Sequence, residues 1–271
     1  MTEQSERARR FLELHRPGQP LLMPNPWDVG SAKLLAWAGF EALATTSSGF
    51  AATLGRLDGS VSRDEALAHA AALVAAVDVP VSADLENGFV DSAAEVAETA
   101  AGAVAAGLAG FSIEDFAPGH DDPIYPLPLA AERVAAAAEV AHAGEAHVVL
   151  TARCENFLHG RRDLDDTIER LRAYQEAGAD VLFSPGIATA DEIRAVVSAV
   201  DLPVNVLPMP GTPPVAGLAE LGVSRVSVGG AFAFAALGGV VAAARELLEA
   251  GTYGFGAQTV EGMTAAREAF S

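Results

Sequence analysis

At 271 residues with 51% hydrophobic side chains, the chain can bury a sizeable core as one domain. Seventeen Lys and Arg against 36 Asp and Glu give a formal net charge of −19, which repels nucleic-acid phosphates, and no basic cluster offsets it. The single cysteine, Cys154, excludes an internal disulfide and zinc-type ligand spacing. No uninterrupted apolar run approaches the roughly 18 to 20 residues that span a bilayer, and the N-terminus has no apolar leader core, so no membrane partner and a cytoplasmic location are expected.

The first segment, MTEQSERARRFLELH, reads as a charged amphipathic helix. After it, short apolar runs recur between Ala-rich segments of helical length, the pattern of a parallel sheet with crossover helices. Strands are expected near 20–23, 41–45, 80–83, 110–114, 147–151, 180–183, 203–207 and 224–228. Gly39, Gly107, Gly178 and Gly222 stand where preceding helices need a left-handed cap. Eight strand-then-helix units in one domain, 1–271, point to an α/β fold of the (β/α)₈ barrel type. An open doubly wound sheet is the alternative, but the first turn, MPNPWDVG, has no Gly-rich nucleotide fingerprint. The final segment, 252–271, reads as a loop and an extra C-terminal helix.

Polar residues gather where the apolar runs end: Asn25 and Asp28, Thr45 to Ser48, Asp84 and Glu86, Glu114 and Asp115, Arg153 and Glu155, Ser184, Asn205, and Gly229 with Gly230. In a barrel of this type the C-terminal strand ends carry the active site. Asp84 and Glu86 are two apart, which on an extended chain puts both on one face. Glu114 ends the next strand, about 4.8 Å away by strand spacing. Carboxylates so crowded need a cation among them, and a hard, oxygen-preferring ion such as Mg²⁺ fits, with Mn²⁺ as a substitute. Taken singly, each acid is equally suited to cap a helix.

Arg153 offers a planar donor fork for a substrate carboxylate, or else an ion pair with Glu155 or Glu114. Cys154, pointing away from it, packs. Lys33 is the only lysine and lies in the helical run SAKLLAWAGF, which argues against Schiff-base chemistry.

The segments SADLENGF (82–89), SIEDF (112–116), TARCENF (151–157) and YQEAGADVLFSPG (174–186) resemble, in order and spacing, the isocitrate lyase/phosphoenolpyruvate mutase superfamily. The resemblance runs from about Asn25 to Gly230. It implies that Asp84 binds Mg²⁺ directly, that Glu86 and Glu114 hold its water ligands, that Asp58 matches another acid near the metal, and that Arg153 with the turn Thr46, Ser47 and Ser48 grips a 2-oxo carboxylate. Asn205 joins the substrate-binding set. It also implies a homo-oligomer, dimer or tetramer, that exchanges C-terminal helices. The shared chemistry is Lewis-acid stabilisation of an enolate as a bond to C3 breaks or forms.

The loop after the fourth strand departs from the pattern. The family's lyases resemble Lys-x-Cys-Gly-His here, whereas this chain has Pro118, Gly119 and His120 and lacks the lysine and cysteine. The mutases' Lys and Asn are also absent, and Ser184 stands where phosphoenolpyruvate mutase has a histidine. His120 and Tyr125 are candidates for proton transfer, beside Arg153 and Glu114. His120 is equally readable as a solvated loop residue and Tyr125 as a loop anchor. The expected activity is Mg²⁺-dependent cleavage of a C–C bond in an oxaloacetate-like 2-oxo acid by a lyase, hydrolase or decarboxylase. A mutase or hydrolase acting on a C–P bond and a non-catalytic 2-oxo acid binder are the alternatives.

Overall fold

Strands apolar on both faces need cover on both sides, which a closed parallel barrel wrapped by helices provides. The computed structural model, which describes residues 2–116, 118–119 and 121–271, has this form. Its strands are β1 (Leu21–Met23), β2 (Leu43–Ala44), β3 (Val81–Asp84), β4 (Gly110–Glu114), β5 (Val149–Arg153), β6 (Val181–Phe183), β7 (Val204–Val206) and β8 (Arg225–Ser227). All pair in parallel, in the order β1-β8-β7-β6-β5-β4-β3-β2. The seam between β1 and β2 is closed by Ala44 N–H donating to Pro24 O at 3.1 Å and Asn25 Nδ2 donating to Thr45 O at 2.9 Å. Asn25 Oδ1 also accepts from the N–H groups of Val228 and Gly229, so one amide laces the barrel mouth together.

The helices are α1 (Glu3–Glu13), α2 (Val29–Trp37), α3 (Ser47–Thr53), α4 (Arg63–Ala76), α5 (Ala93–Ala105), α6 (Leu127–His142), α7 (Leu164–Glu176), α8 (Ala190–Ala199), α9 (Val215–Glu220), α10 (Ala231–Arg245) and α11 (Gly256–Ala269). Gly39, Gly107, Gly178 and Gly222 end helices at φ of +98°, +80°, +101° and +84°, as their spacing requires. Asp28, which the sequence groups with the strand-end polar residues, caps α2 instead: its Oδ1 accepts from Ser31 N–H at 2.7 Å.

The barrel's N-terminal end is stoppered by α1. Ala8 and Phe11 bury against Leu21, Ala109, Val149 and Val181. Gly110 makes room for the stopper: a Cβ there would lie 2.7 Å from Phe11 Cε1 and 2.8 Å from Val149 O.

The fifth strand starts two residues later than the sequence suggests and reaches Arg153. The reason is His147, whose φ of +36° breaks the extended chain before the strand begins.

The last helices depart from the regular wrap. α11 packs on α2, with Phe270 Cζ 3.8 Å from where a Cβ on Gly30 would stand. α10 and the π turn after it (Glu246–Ala250) lie almost wholly uncovered: Val240 is 66% exposed and Leu248 84%. Leu22 of β1 points outward and is 42% exposed. The run Ala231–Ala250 is long and apolar enough to cross a membrane by length and composition, with mean hydropathy 1.6, although Arg245, Glu246 and Glu249 interrupt its end. That qualifies the expectation from uninterrupted runs alone.

Candidate active site

Along β3, β4, β5, β7 and β8, small polar and charged side chains take alternate positions: Ser82 and Asp84, Ser112 and Glu114, Thr151 and Arg153, Asn205, Arg225 and Ser227. Strand periodicity sends such alternate residues to one face, here the barrel interior. Asp84, Arg153, Asn205 and Ser227 line a cavity of about 150 Å³ together with Asn25, the Thr46-Ser47-Ser48 turn, Asp58 and Gly230, while Glu114 is not part of its lining.

Arg153 is the centre of the mouth. Its Nη1 donates to Asp84 Oδ1 at 2.8 Å, its Nη2 lies 3.0 Å from Glu114 Oε2, and its Nε donates to Glu155 Oε1 at 2.9 Å. The guanidinium also lies over the Phe183 ring, 5.3 Å from its centroid. Burial opposes its charge, but Glu114, Glu155 and Asp84 together hold the pKa well above the ordinary arginine value. Both ion pairs that the sequence offers for Arg153, with Glu155 and with Glu114, are present, and Asp84 adds a third.

One guanidinium does not balance this many carboxylates. Burial pushes Glu86 up to about 7, helped by Asp84 and Asp58. Burial likewise raises Glu114 well above the carboxylate range against the pull of Arg153, and raises Glu155 too. Excess negative charge in a buried, oxygen-only donor set is the environment a hard divalent cation relieves. The residues therefore fit Mg²⁺: Asp84, with Glu86 and Glu114 beside it, would hold the ion, and Asp58 stands on the exposed rim.

Glu86 reaches this group by a different route from the one its spacing suggests. β3 ends at Asp84, and Glu86 takes a left-handed φ of +48°, so a turn rather than strand alternation places it there. Its N–H donates to Asp84 Oδ1 at 3.3 Å. On the opposite side, Thr46 caps α3, Thr46 Oγ1 and Ser48 Oγ are 3.2 Å apart, and Ser47 N–H donates to Asp84 Oδ2 at 3.3 Å. The start of a helix thus presents hydroxyls and N–H groups to the cavity, a setting suited to a carboxylate.

Asn205 lines the cavity, donating from Nδ2 to Ser227 Oγ at 2.8 Å while its buried Oδ1 has no partner. Asp115 is drawn the other way, into a buried pair with Arg170 at 3.1 Å and Tyr174 at 2.6 Å. Cys154 is fully buried in the core. His120 lies outside the described residues.

Tyr125, a sequence candidate for proton transfer, does not line the cavity. Its hydroxyl donates to Asp91 Oδ1 at 2.5 Å and accepts from Asn87 Nδ2 at 3.1 Å, with the Arg133 guanidinium 4.3 Å from the ring centroid. The flanking prolines Pro123 and Pro126 and the bonds to the β3–α5 loop make it an anchor. Tyr125→Phe is expected to keep kcat within about threefold of wild type while costing about 1 kcal/mol of stability, measured by assay and urea titration.

Sequence reasoning did not assign site roles to Asn25, Glu155, Ser82, Ser112, Thr151, Arg225 or Ser227. The period-two placement of small polar residues within otherwise apolar strands was the available signal for most of them.

The C-terminal mouth, where carboxylates gather around one arginine, is the end of a (β/α)₈ barrel at which enzymes of this fold carry their active sites. The phosphoenolpyruvate phosphomutase family model matches residues 11–248. A candidate lyase/mutase from Burkholderia cenocepacia J2315 shares 55% identity, with a TM-score of 0.90 over 93% of this chain and 91% of that one. The 2-methylisocitrate lyase of Halalkalibacterium halodurans is 31% identical over 74% of this chain and 67% of its own length. A phosphonopyruvate hydrolase, solved with oxalate and Mg²⁺, superposes with a TM-score of 0.81 at 25% identity, covering 93% of this chain and 88% of that one. The chain belongs to the isocitrate lyase/phosphoenolpyruvate mutase superfamily of lyases and mutases that cleave or move C–C or P–C bonds of 2-oxo acids.

Proposed function

We propose that this enzyme is a Mg²⁺-dependent C–C bond lyase, hydrolase or decarboxylase acting on a short, oxaloacetate-like 2-oxo acid. The observation that carries the reading is Arg153 held by Asp84, Glu114 and Glu155 at 2.8 to 3.0 Å across from the Thr46-Ser47-Ser48 turn. Asp84, Glu86 and Glu114 would hold the ion, and when bound Mg²⁺ supplies Lewis-acid stabilisation of the charge that develops on the 2-oxo oxygen. Arg153 and the hydroxyls of the turn orient the substrate carboxylate. The hydroxyls of Thr46 and Ser48 donate to that carboxylate, and Asn25 holds the neighbouring strand ends rigid. Glu114, whose carboxyl burial raises well above the ordinary carboxylate range, and His120 are the groups proposed to move a proton to C3. Pro118 in the loop disfavours the isocitrate lyase and methylisocitrate lyase reactions within this reading.

The test is direct. Purified enzyme with oxaloacetate should release pyruvate faster than the uncatalysed rate, with EDTA abolishing the excess and Mg²⁺ restoring it. Release of phosphate from phosphonopyruvate with no action on oxaloacetate would replace this reading with the C–P one. Saturable oxalate binding without turnover of either would leave a binding protein.

Metal-free enzyme should also show a distinctive pH dependence. Glu86, raised to about 7, and Glu114, raised by burial, hold their protons more tightly folded than unfolded. Between the unfolded carboxylate value near 4.5 and about 7 the folded state therefore binds more protons, and stability falls as pH rises through that window. Mg²⁺ reverses the penalty, so the Mg²⁺-induced rise in Tm should be a few degrees larger at pH 8 than at pH 5.5. An equal rise at both values would count against these acids as the ion's holders.

A homo-oligomer belongs to the same reading. The uncovered apolar face of α10 and the uncovered outer wall at Leu22 are complementary in kind, and the exchange of α10 between copies would cover both. A cytoplasmic setting suits such an assembly. Sedimentation of the intact chain as a monomer at micromolar concentration would oppose it.

A further inference from the structure

Below the mouth, the barrel interior holds a second guanidinium in circumstances opposite to those of Arg153. Arg225 is 3% exposed, and among the described residues no carboxylate lies within 4.0 Å of it. Its Nη1 donates to Thr151 Oγ1 at 3.1 Å and to His15 Nε2 at 3.2 Å, and its buried Nε has no partner. His15 brings no negative charge. Its Nδ1 lies 2.8 Å from Phe11 O, the place for its single proton, which leaves Nε2 as the lone pair that Arg225 meets. Burial and the neighbouring Arg225 push His15 down to about 3, so it stays neutral.

The surroundings of Arg225 supply donors. It lines the cavity with Ser82, Ser112, Thr151 and Ser227. Thr151 Oγ1 accepts from Arg225 and Ser227 Oγ accepts from Asn205 Nδ2, so each hydroxyl keeps its own proton to give. The nearest formal charge with an effect on Arg225 is another cation, Arg153, and burial with that repulsion pulls Arg225 down to about 9. At neutral pH it remains charged. A buried, charged guanidinium that faces hydroxyl protons and a second cation is a costly arrangement unless a counter-charge enters.

We infer that the barrel floor binds one small monovalent anion of halide size between Arg225 and the ring of hydroxyls, as a site separate from the substrate carboxylate above it. One uncompensated charge calls for one negative charge. The cavity that Arg225 lines measures about 150 Å³, roughly tenfold what an ion the size of a water molecule needs. The anion offsets the repulsion between Arg225 and Arg153. This inference does not depend on the metal or on the reaction assigned above.

The test uses the intact enzyme. Crystals soaked in bromide should show an anomalous peak within hydrogen-bond reach of the Arg225 guanidinium and the hydroxyls. In solution, replacing gluconate by 100 mM bromide or chloride at fixed ionic strength should raise Tm by roughly 3 °C. Arg225→Met, which removes the charge but keeps the side chain's length, should abolish that response. Ordered water without an anomalous peak would overturn the inference, as would an unchanged halide response in Arg225→Met. Stoichiometric displacement of bromide by oxalate would also overturn it, because the floor would then be part of the substrate site. Because the bromide peak is read on wild-type protein, failure of the variant to fold leaves the test intact.

Discussion

Asp84→Ala is expected to abolish Mg²⁺-dependent oxalate binding and to lower turnover by about a thousandfold or more, because it removes the carboxylate nearest every other part of the site. Asp84 meets Arg153 at 2.8 Å through Oδ1 and the N–H of Ser47 at 3.3 Å through Oδ2, so it joins the cation-holding side of the cavity to the carboxylate-gripping turn. Its backbone N–H donates to Thr45 Oγ1 at 2.9 Å, which fixes the strand end that carries it. Calorimetric titration with Mg²⁺ and oxalate separates the two losses. Wild-type affinity for both ligands in the variant would remove the basis for the proposed function. Asp84→Asn keeps the side chain's shape and, with its amide oxygen toward Ser47 N–H, that one contact, while its NH₂ faces the Arg153 and Glu86 donors; it should fold and still lose the metal.

Arg153→Lys should retain a positive charge yet lose at least about a hundredfold in kcat/KM, because an ammonium cannot replace a planar fork that meets three carboxylates at once. The loss should be distributed between KM and kcat: part of the fork serves substrate binding, and part holds Glu114 and Glu155 in position. Arg153→Met goes further. It strands buried acids without their cation, which costs on the order of 3 to 5 kcal/mol for breaking a buried pair. That cost should shrink as pH falls and the acids take up protons, a trend that urea titrations at pH 5 and pH 8 would read. A pH-independent loss of stability would mean that the acids do not depend on Arg153 for their charge.

The two substitutions probe different halves of one balance. Asp84 represents the excess of negative charge that favours a divalent ion, and Arg153 represents the positive charge that keeps the excess tolerable before the ion arrives. Arg225 shows the opposite imbalance on the barrel floor, with a cation and, among the described residues, no carboxylate within 4.0 Å.

Much of this architecture follows from local pattern. Eight apolar runs spaced by Ala-rich helical segments and closed by glycine caps specify a barrel, because period-two and period-3.6 burial are properties of neighbouring residues. The placement of Asp84, Glu114 and Arg153 at strand ends follows in the same way. Other features were decided by distant parts of the chain meeting. Glu86 enters the site through a left-handed turn, Tyr125 is drawn to Asp91 and Asn87 and away from the cavity, and Asp115 turns to Arg170 and Tyr174. Arg225 reads in sequence as an ordinary strand residue, and only the closing of the barrel over His15 and Thr151 leaves its charge uncompensated. The sequence by itself determined the elements, their order and which strand tips carry chemistry, since these depend on spacing along the chain. Tertiary structure alone decided which charges are balanced and which groups face the cavity, since electrostatic energy depends on distance and burial in space.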